Sequence, residues 1–389
     1  MRYTYYVIRY TVHMKIGLVC PYDISRGGGV QEHVLAQAAE LRIRGHEVII
    51  LTPKPRGSSR IIPDNTLFIG NSAKLNTPIK TTLELGISLG RDTVDDILAQ
   101  HEFDLLHIHE PEVPVLGAQI VAKALCPVIA TFHAIHPHTP MARTIEVLRI
   151  PYSRSIFSRI AAMTAVSDTA AMFVRERTGR PVEIIPNGIN LRKYVAATPN
   201  PGTKLSKLTA PKTILYVGRL ETRKGLMYLL KALAVLPRHD YRLIIAGEGP
   251  DRKKLESFAK SHDLENVQFL GFVDEPTKIK LLMSADLFCS PALYGESFGI
   301  VLLEAMATGL VSVVGNNEGY ISLMHGRGAI SIVNPKDTEE FARRIVVLLH
   351  DQELQELWRH WALDYVRQYD YKNVIDAYEK LYVKTLRSS

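Results

Sequence analysis

A chain of 389 residues with 46% hydrophobic and 22% charged side chains can fill two globular cores, which excludes a disordered or fibrous protein. Three scattered cysteines, Cys20, Cys126 and Cys289, give neither a disulfide framework nor a metal-ligand spacing, and they suit a reducing cytoplasm. The net charge of +7 and pI near 9.1 fit an anionic small substrate or an anionic membrane surface; with no zinc-finger spacing or aromatic-rich RNA motif, nucleic acid is set aside.

Residues 1–13 carry Arg2 and Arg9 and no uninterrupted apolar core, so they read as an N-terminal extension rather than a signal peptide. Short β-branched runs then alternate with longer amphipathic segments, the pattern of parallel α/β architecture. Strands are expected in the first half at Lys15–Cys20, Glu47–Leu51, Leu105–His109, Val128–Phe132, Ala162–Val166 and Val182–Ile185. In the second half they are expected at Thr213–Val217, Arg242–Ala246, Val267–Leu270, Leu287–Ser290, Val311–Val314 and Ile330–Val333. These runs are apolar on both faces, as a doubly covered parallel sheet requires. The segment Thr198-Pro-Asn-Pro-Gly-Thr203 is linker chemistry. The chain therefore divides into a Rossmann-like domain over 14–190, a linker over 191–212 and a second Rossmann-like domain over 213–365, with a helical tail over Leu363–Leu386. The most apolar window, Phe298 to Val314, is broken by Glu304 and Thr308-Gly309 and reads as helix, turn and strand rather than a membrane span. Open α/β sheets bind ligands at the carboxyl ends of their strands, so two facing sheets predict a cleft lined from both sides.

The run Glu296-Ser-Phe-Gly-Ile-Val-Leu-Leu-Glu304 enters a buried helix through Gly299. Free N–H groups at a helix start attract phosphate, and eight helical residues span roughly 12 Å. Carboxylates accept from sugar hydroxyls, so Glu296 and Glu304 suit a sugar and a ribose joined by a diphosphate. The plainer alternative is a helix cap and a partly exposed helix residue. The strand Thr213–Val217 ends in Gly218-Arg219, followed by Arg223-Lys224-Gly225, within a stretch of eight Lys/Arg and one acid between Lys204 and Arg238. Arg219 and Lys224 past a strand end suit diphosphate neutralisation, against the alternative of a solvated basic face. No D-x-D occurs, so a leaving diphosphate would rest on Arg219, Lys224 and the Gly299–Val301 amides, without an obligatory metal. In the first half Gly27-Gly28-Gly29 opens the helix Val30–Arg44, a weak signal by itself. His133 ends a strand and is placed to bond a substrate hydroxyl or a backbone carbonyl. His107, His109, His136 and His138 suggest a metal, but no carboxylate completes a shell and buried polar contacts are the better reading.

The stretches Ile16-Gly-Leu-Val-Cys-Pro-Tyr22, Gly28-Gly-Val-Gln31 with His33, Leu106-His-Ile-His-Glu-Pro111 and Ala130-Thr-Phe-His133 form one recognisable set. Ala165-Val-Ser-Asp168, Ile185-Pro-Asn-Gly188, Gly218-Arg219, Arg223-Lys-Gly225 and Gly295–Ala307 complete it. From Met14 onward the chain resembles the retaining glycosyltransferases of family 4, and within them the members that mannosylate phosphatidylinositol. The resemblance implies the GT-B fold, two Rossmann-like domains facing across a cleft with the tail 366–389 crossing back to the first. It implies a GDP-mannose donor, a phosphatidylinositol acceptor and a cytoplasmic enzyme peripheral to the inner membrane face. By the same resemblance Gly29 contacts the donor phosphate, Arg219 and Lys224 bind the diphosphate, Glu296 holds the sugar hydroxyls and Glu304 the ribose. Lys278 lines the nucleobase pocket, and Arg223, Phe298, Gly299 and Ile300 complete the donor site. His133 lines the reaction centre, and Tyr22 and Gln31 hold the inositol ring.

One region departs from that pattern. Where the lipid enzymes carry a basic helix, this chain has Gly90-Arg-Asp-Thr-Val-Asp-Asp-Ile-Leu-Ala-Gln100, which an anionic surface would repel. Met141–Ile160, with Arg143, Arg149, Arg154 and Arg159 among apolar residues, is a basic amphipathic substitute or an ordinary domain helix. The rival readings are a UDP-hexose transferase acting on diacylglycerol or a soluble acceptor, a non-catalytic nucleotide-sugar-binding subunit, and a sugar-nucleotide epimerase.

Overall fold

The computed structural model describes residues 13–55, 62–76, 82–87, 91–113, 116–133, 155–195, 211–237 and 240–388. The extension over 1–12, most of the 191–212 linker, His136, His138 and 141–154 lie outside them. The chain forms two compact units. One runs from the amino terminus to Ile185 and takes back Tyr371 onward; the other is centred on Pro186–Asp370.

The first unit is built on eight strands: β1 (Lys15–Val19), β2 (Glu47–Lys54), β3 (Thr66–Asn76), β4 (Thr82–Ile87), β5 (Leu105–His109), β6 (Val128–Phe132), β7 (Ala162–Ala165) and β8 (Glu183–Ile184). Their order is β4-β3-β2-β1-β5-β6-β7-β8, parallel except for the antiparallel β3–β4 pair. Every residue of β5 and β6 is buried, because helices cover both faces. The period of two sorts the side chains. Leu106 and Ile108 join Val94, Leu116 and Ile120 on one face. Leu105 joins Val34, Ala38 and Leu41 of the helix Gly29–Ile43 on the other, with Ile375, Tyr378 and Tyr382 of the helix Tyr371–Ser388.

Two expectations need amendment. The β3–β4 hairpin was not foreseen, because an antiparallel edge pair need not be apolar on both faces; β3 carries Gly70 and Asn71 where a buried parallel strand would carry branched residues. The tail is not one helix. Gln352–Tyr365 passes through the 3-10 turn Val366–Tyr369 to Asp370, whose backbone is extended, and Tyr371–Ser388 starts afresh. The break arises because the chain there pairs with the segment before the linker: Ile189 N–H donates to the Tyr369 carbonyl at 2.8 Å. Lastly, of the two readings of the 141–160 stretch the described part fits an ordinary domain element: Ile156, Phe157 and Ile160 pack with Val128 and Phe132, while Ser155, Ser158 and Arg159 are exposed.

The second unit has six parallel strands: β9 (Lys212–Val217), β10 (Tyr241–Ala246), β11 (Val267–Gly271), β12 (Leu287–Ser290), β13 (Ser312–Gly315) and β14 (Ile332–Val333). Their order is β11-β10-β9-β12-β13-β14, a doubly wound sheet. The helix Ile300–Ala307 is buried over its last six residues, as its apolar sequence demands. Strand order reverses between β9 and β12 here, and between β1 and β5 in the first unit. In open α/β sheets ligands bind at the carboxyl ends of the strands beside such switch points.

Candidate functional site

In the second unit the loops after β9 and β12 carry the charged residues singled out in the sequence. The first loop runs through the 3-10 turn Thr222–Lys224 to Gly225, whose φ of +71° is left-handed. A Cβ there would lie 1.9 Å from the Pro291 carbonyl oxygen, so only glycine lets the two loops touch. Leu293 N–H donates to the Arg223 carbonyl at 2.8 Å and pins them together.

That contact assembles a charge cluster. Glu296 Oε1 lies 2.6 Å from Lys224 Nζ and 2.8 Å from Arg223 Nη1. Glu221, buried, pairs through one oxygen with Arg219 Nη2 and through the other with Arg223 Nε, each at 2.8 Å. Burial opposes the charge on Arg223, but Glu296 and Glu221 outweigh it and raise its pKa above the ordinary arginine value. Arg223 therefore bridges two carboxylates, while Arg219 is exposed beside it and Lys224 half-buried.

The helix Ile300–Ala307 starts four residues after Glu296, so the Glu296–Glu304 separation is only partly helical. Gly299 has φ +103°, and a Cβ would sit 2.8 Å from the Tyr320 ring. Its glycine is thus required for the sharp entry into the helix, whose first amides have no partner within it. Phe298 is buried edge-on against Tyr369 at 5.6 Å, so it offers a ligand backbone rather than ring, and Ile300 is half-buried. Glu304, one turn into the helix, accepts from Lys278 Nζ at 2.6 Å. Lys278 stands on the helix Glu275–Ser284, capped by Asp274, whose side chain accepts from Thr277 N–H. Two cation–carboxylate pairs therefore bracket one helix start.

In the first unit Tyr22 follows β1 half-buried, with its carbonyl accepting from Thr52 Oγ1 at 2.8 Å. Gly29 is exposed at the first turn of the helix Gly29–Ile43, and the Gln31 side chain folds back over Gly28, where a Cβ would meet its Oε1 at 2.3 Å. The loop between is organised by buried Asp23, which accepts from Ser25 N–H and Oγ at 3.0 and 2.6 Å. His133 follows β6, buried, and its N–H donates to Glu110 Oε1 at 2.6 Å. Glu110 has φ +52°, an uncommon left-handed backbone for a glutamate at a strand end.

Behind His133 the structure reveals an arrangement that the sequence only hinted at by the two-residue spacing of His107 and His109. His109 Nδ1 lies 2.9 Å from His133 Nε2. His107 stacks on His109 with centroids 4.5 Å apart, and its ring nitrogens reach Tyr382 Oη at 2.6 Å and Thr131 Oγ1 at 2.7 Å. His33 stands edge-on to His109 and His133, and neither of its nitrogens has a partner among the described residues. Burial lowers the pKa of His33 to about 4 and that of His107 to about 3, and it pushes His109 well down as well. Sequence reasoning also missed Glu221, Asp23 and Glu110, each a buried acid that orients a neighbour. The Glu110-Pro111 and Gly218-Arg219-Leu-Glu221 contexts at strand ends were the available signal.

Among the described residues no helix is long and apolar enough to cross a membrane. On the helix Arg91–His101 Asp95 and Asp96 are exposed, and Asp95 pairs with Lys123.

Two family models match the chain: one described as Glycosyltransferase Family 4 over residues 27–193 and one as Glycosyl transferases group 1 over 203–362. A phosphatidyl-myo-inositol mannosyltransferase of Mycolicibacterium smegmatis is 34% identical over 376 residues, spanning 95% of this chain and 93% of its own length. One of the same name from Propionibacterium freudenreichii is 31% identical, over 80% of this chain and 79% of its own. Among solved structures, the sucrose-phosphate synthase of Thermosynechococcus elongatus superposes with a TM-score of 0.77 at 20% identity, covering 97% of this chain and all of its own. Anabaena HepE in complex with UDP and glucose does so with a TM-score of 0.74 at 21% identity and the same coverage. These last two likenesses establish the GT-B fold.

Proposed function

The chain belongs to glycosyltransferase family 4, and from that premise we propose that it moves mannose, with retention, from GDP-mannose to the inositol ring of a phosphatidylinositol-type lipid. The observation that carries the reading is the bracketed helix start: Lys224 with Glu296 on one side of Gly299, Lys278 with Glu304 on the other. A nucleoside-diphosphate sugar has anions in its middle and hydroxyls at both ends, and this site has cations beside carboxylates in that order. The names of relatives similar over nearly the whole chain support the lipid acceptor.

In this reading Arg219 and Lys224 take the diphosphate, helped by the amides at Gly299 and Ile300. Glu296, released from Lys224 by the incoming phosphate, accepts from the mannose hydroxyls, and Glu304 accepts from the ribose. Arg223 and Phe298 hold the loop in place, while Lys278 borders the base. Tyr22 and Gln31 orient the inositol, and His133 lines the reaction centre. The bond from the sugar carbon to the phosphate oxygen breaks, the inositol oxygen bonds on the same face, and its proton passes to the departing phosphate. The two cations stabilise the charge that develops there, and the reading requires no metal.

The enzyme would work peripherally at an inner membrane face. Reversing the charge of Arg149 and Arg154 should abolish co-sedimentation with anionic vesicles; undiminished binding would remove the 141–160 stretch from that role. The deciding experiment follows nucleotide release from GDP-mannose and UDP-glucose, with and without phosphatidylinositol vesicles. GDP release that requires the lipid and yields a mannolipid supports the proposal. Release from UDP-glucose alone, or indifference to the lipid, replaces it with another donor or acceptor, consistent with the exposed acids on Arg91–His101. Donor binding without turnover would mean a binding subunit, and donor conversion without acceptor an epimerase.

A further inference from the structure

The imidazoles behind His133 are disposed for more than filling space. His133 Nε2 is occupied by His109 Nδ1 at 2.9 Å, and between two neutral rings only one of these nitrogens carries the proton. The far side of His109 decides which. Its Nε2 is buried with no partner among the described residues, and the neighbouring His33 offers none. If His133 donated, His109 would have to hold its own proton on Nε2, leaving a buried N–H without an acceptor. If His109 donates, that nitrogen is merely a bare acceptor, and orphaned buried donors are the rarer and costlier case.

The ring of His109 has little freedom to escape this choice. His107 lies flat against it, held from both sides by Tyr382 and Thr131, and Thr131 is bonded in turn to Thr164 at 2.5 Å. Gln37 of the helix Gly29–Ile43 reaches both His107 Nδ1 and Tyr382 Oη, at 3.0 and 2.8 Å. The stack is thereby fastened to two helices and two strands of the first unit.

We propose that His109 is a positioning residue for the transfer reaction: it donates from Nδ1 to His133 Nε2 and fixes His133 in the tautomer that carries its proton on Nδ1. This rests on the reading of His133 as the residue lining the reaction centre. Free histidine in water prefers the proton on Nε2, so the tautomer of His133 is imposed by its neighbour. The consequence is chemical. His133 then carries its proton on Nδ1 while its Nε2 lone pair is engaged by His109, so Nε2 is not available as a general base.

The test uses the full chain labelled with 15N-histidine, with His133→Gln serving only to assign the His133 signals. Long-range proton–nitrogen correlation should show His133 protonated on Nδ1 in the wild type. His109→Asn, which keeps an N–H donor near the same place, should preserve that state. His109→Phe, which keeps a ring and loses the donor, should move the proton to Nε2. Turnover with GDP-mannose and phosphatidylinositol vesicles should fall at least about tenfold in His109→Phe at unchanged donor KM, and recover in His109→Asn. A wild-type His133 protonated on Nε2, or an unchanged tautomer in His109→Phe, overturns the proposal. Should His109→Phe not fold, the wild-type and His109→Asn spectra still decide it. Should the protein move no mannose, the spectra still decide the positioning, and the failure falls on the proposed reaction alone.

Discussion

Replacing Lys224 by alanine tests the donor site most directly. Its ammonium is half-buried and lies 2.6 Å from Glu296, within a cluster of three cations (Arg219, Arg223, Lys224) and two carboxylates (Glu221, Glu296). The deletion takes the cluster from an excess of one positive charge to neutrality. A charged hydrogen bond to the diphosphate is worth about 1.5–3 kcal/mol, and an ammonium about 5 Å from a phosphate charge contributes about 3 kcal/mol at an effective dielectric constant of about 20. These overlap rather than add, so donor and GDP affinity should fall about ten- to a hundredfold, each tenfold step being about 1.4 kcal/mol. Stability should change far less, because Glu296 keeps Arg223 as a partner. Titration calorimetry with GDP and GDP-mannose reads the affinities, and a thermal melt reads the fold. A dissociation constant within about twofold of wild type would refute the diphosphate assignment, since no partly buried cation in contact with the ligand can be removed so cheaply.

Three further outcomes follow from buried groups. Glu221→Gln removes the charge that spans Arg219 and Arg223; turnover should fall about tenfold with GDP affinity nearly unchanged, and unaltered turnover would show that the two guanidinium groups orient themselves. His33→Leu should raise the melting temperature, because it replaces a buried imidazole that has no hydrogen-bond partner among the described residues by an apolar side chain of similar size; a gain of about 1–3 kcal/mol is expected, and destabilisation in urea melts would mean that His33 has a partner in solution. Stability should also depend on pH between about 6.5 and 4. His33 and His107 have folded pKa values of about 4 and about 3, below the ordinary 6.5, so the unfolded chain takes up protons first as the pH falls. Their contribution is fully present above 6.5 and is lost toward 4, each group adding about 1.4 kcal/mol per pH unit to the slope. The depressed carboxylate of Glu379 acts only below its ordinary 4.5 and cannot mimic this window. Urea midpoints that stay flat from pH 7 to 4.5 would contradict the buried neutral stack.

Much of the fold was legible because parallel strands announce themselves twice, by branched apolar runs and by the turn chemistry that follows. Leu105–His109, Val128–Phe132 and Leu287–Ser290 coincide with observed strands residue for residue. The β3–β4 hairpin escaped because its polar edge positions satisfy no two-faced apolar criterion. The interruption of the tail at Asp370 is made by a backbone pairing with Ile189, which is remote in sequence and leaves no local signature. The cations and carboxylates after β9 and β12 were legible individually. Their pairing was not, since it depends on Gly225 packing on Pro291.

The polar residues buried behind His133 are costly core material, and that explains their location. Filling the space behind His133 with leucine would stabilise the first unit, because neutral imidazoles with unmet hydrogen-bonding capacity are poor core material. Instead β5 carries His107 and His109, β6 carries Thr131 and is followed by His133, and the helix Tyr371–Ser388 brings Tyr378 and Tyr382 to meet them. A hydroxyl from residue 382 becomes necessary only because residue 107 is a buried histidine. The polar stack thus binds the carboxy-terminal helix to β5 and β6. Costly polar residues buried together in one sheet mark where function has displaced stability. On that argument the tyrosines belong to the site as much as the histidines do. Tyr382→Phe should loosen His107 before it loosens the fold, and a line-broadened His107 signal in a protein with an unchanged melting temperature would show it. A large loss of melting temperature with His107 unperturbed would place Tyr382 in the core alone.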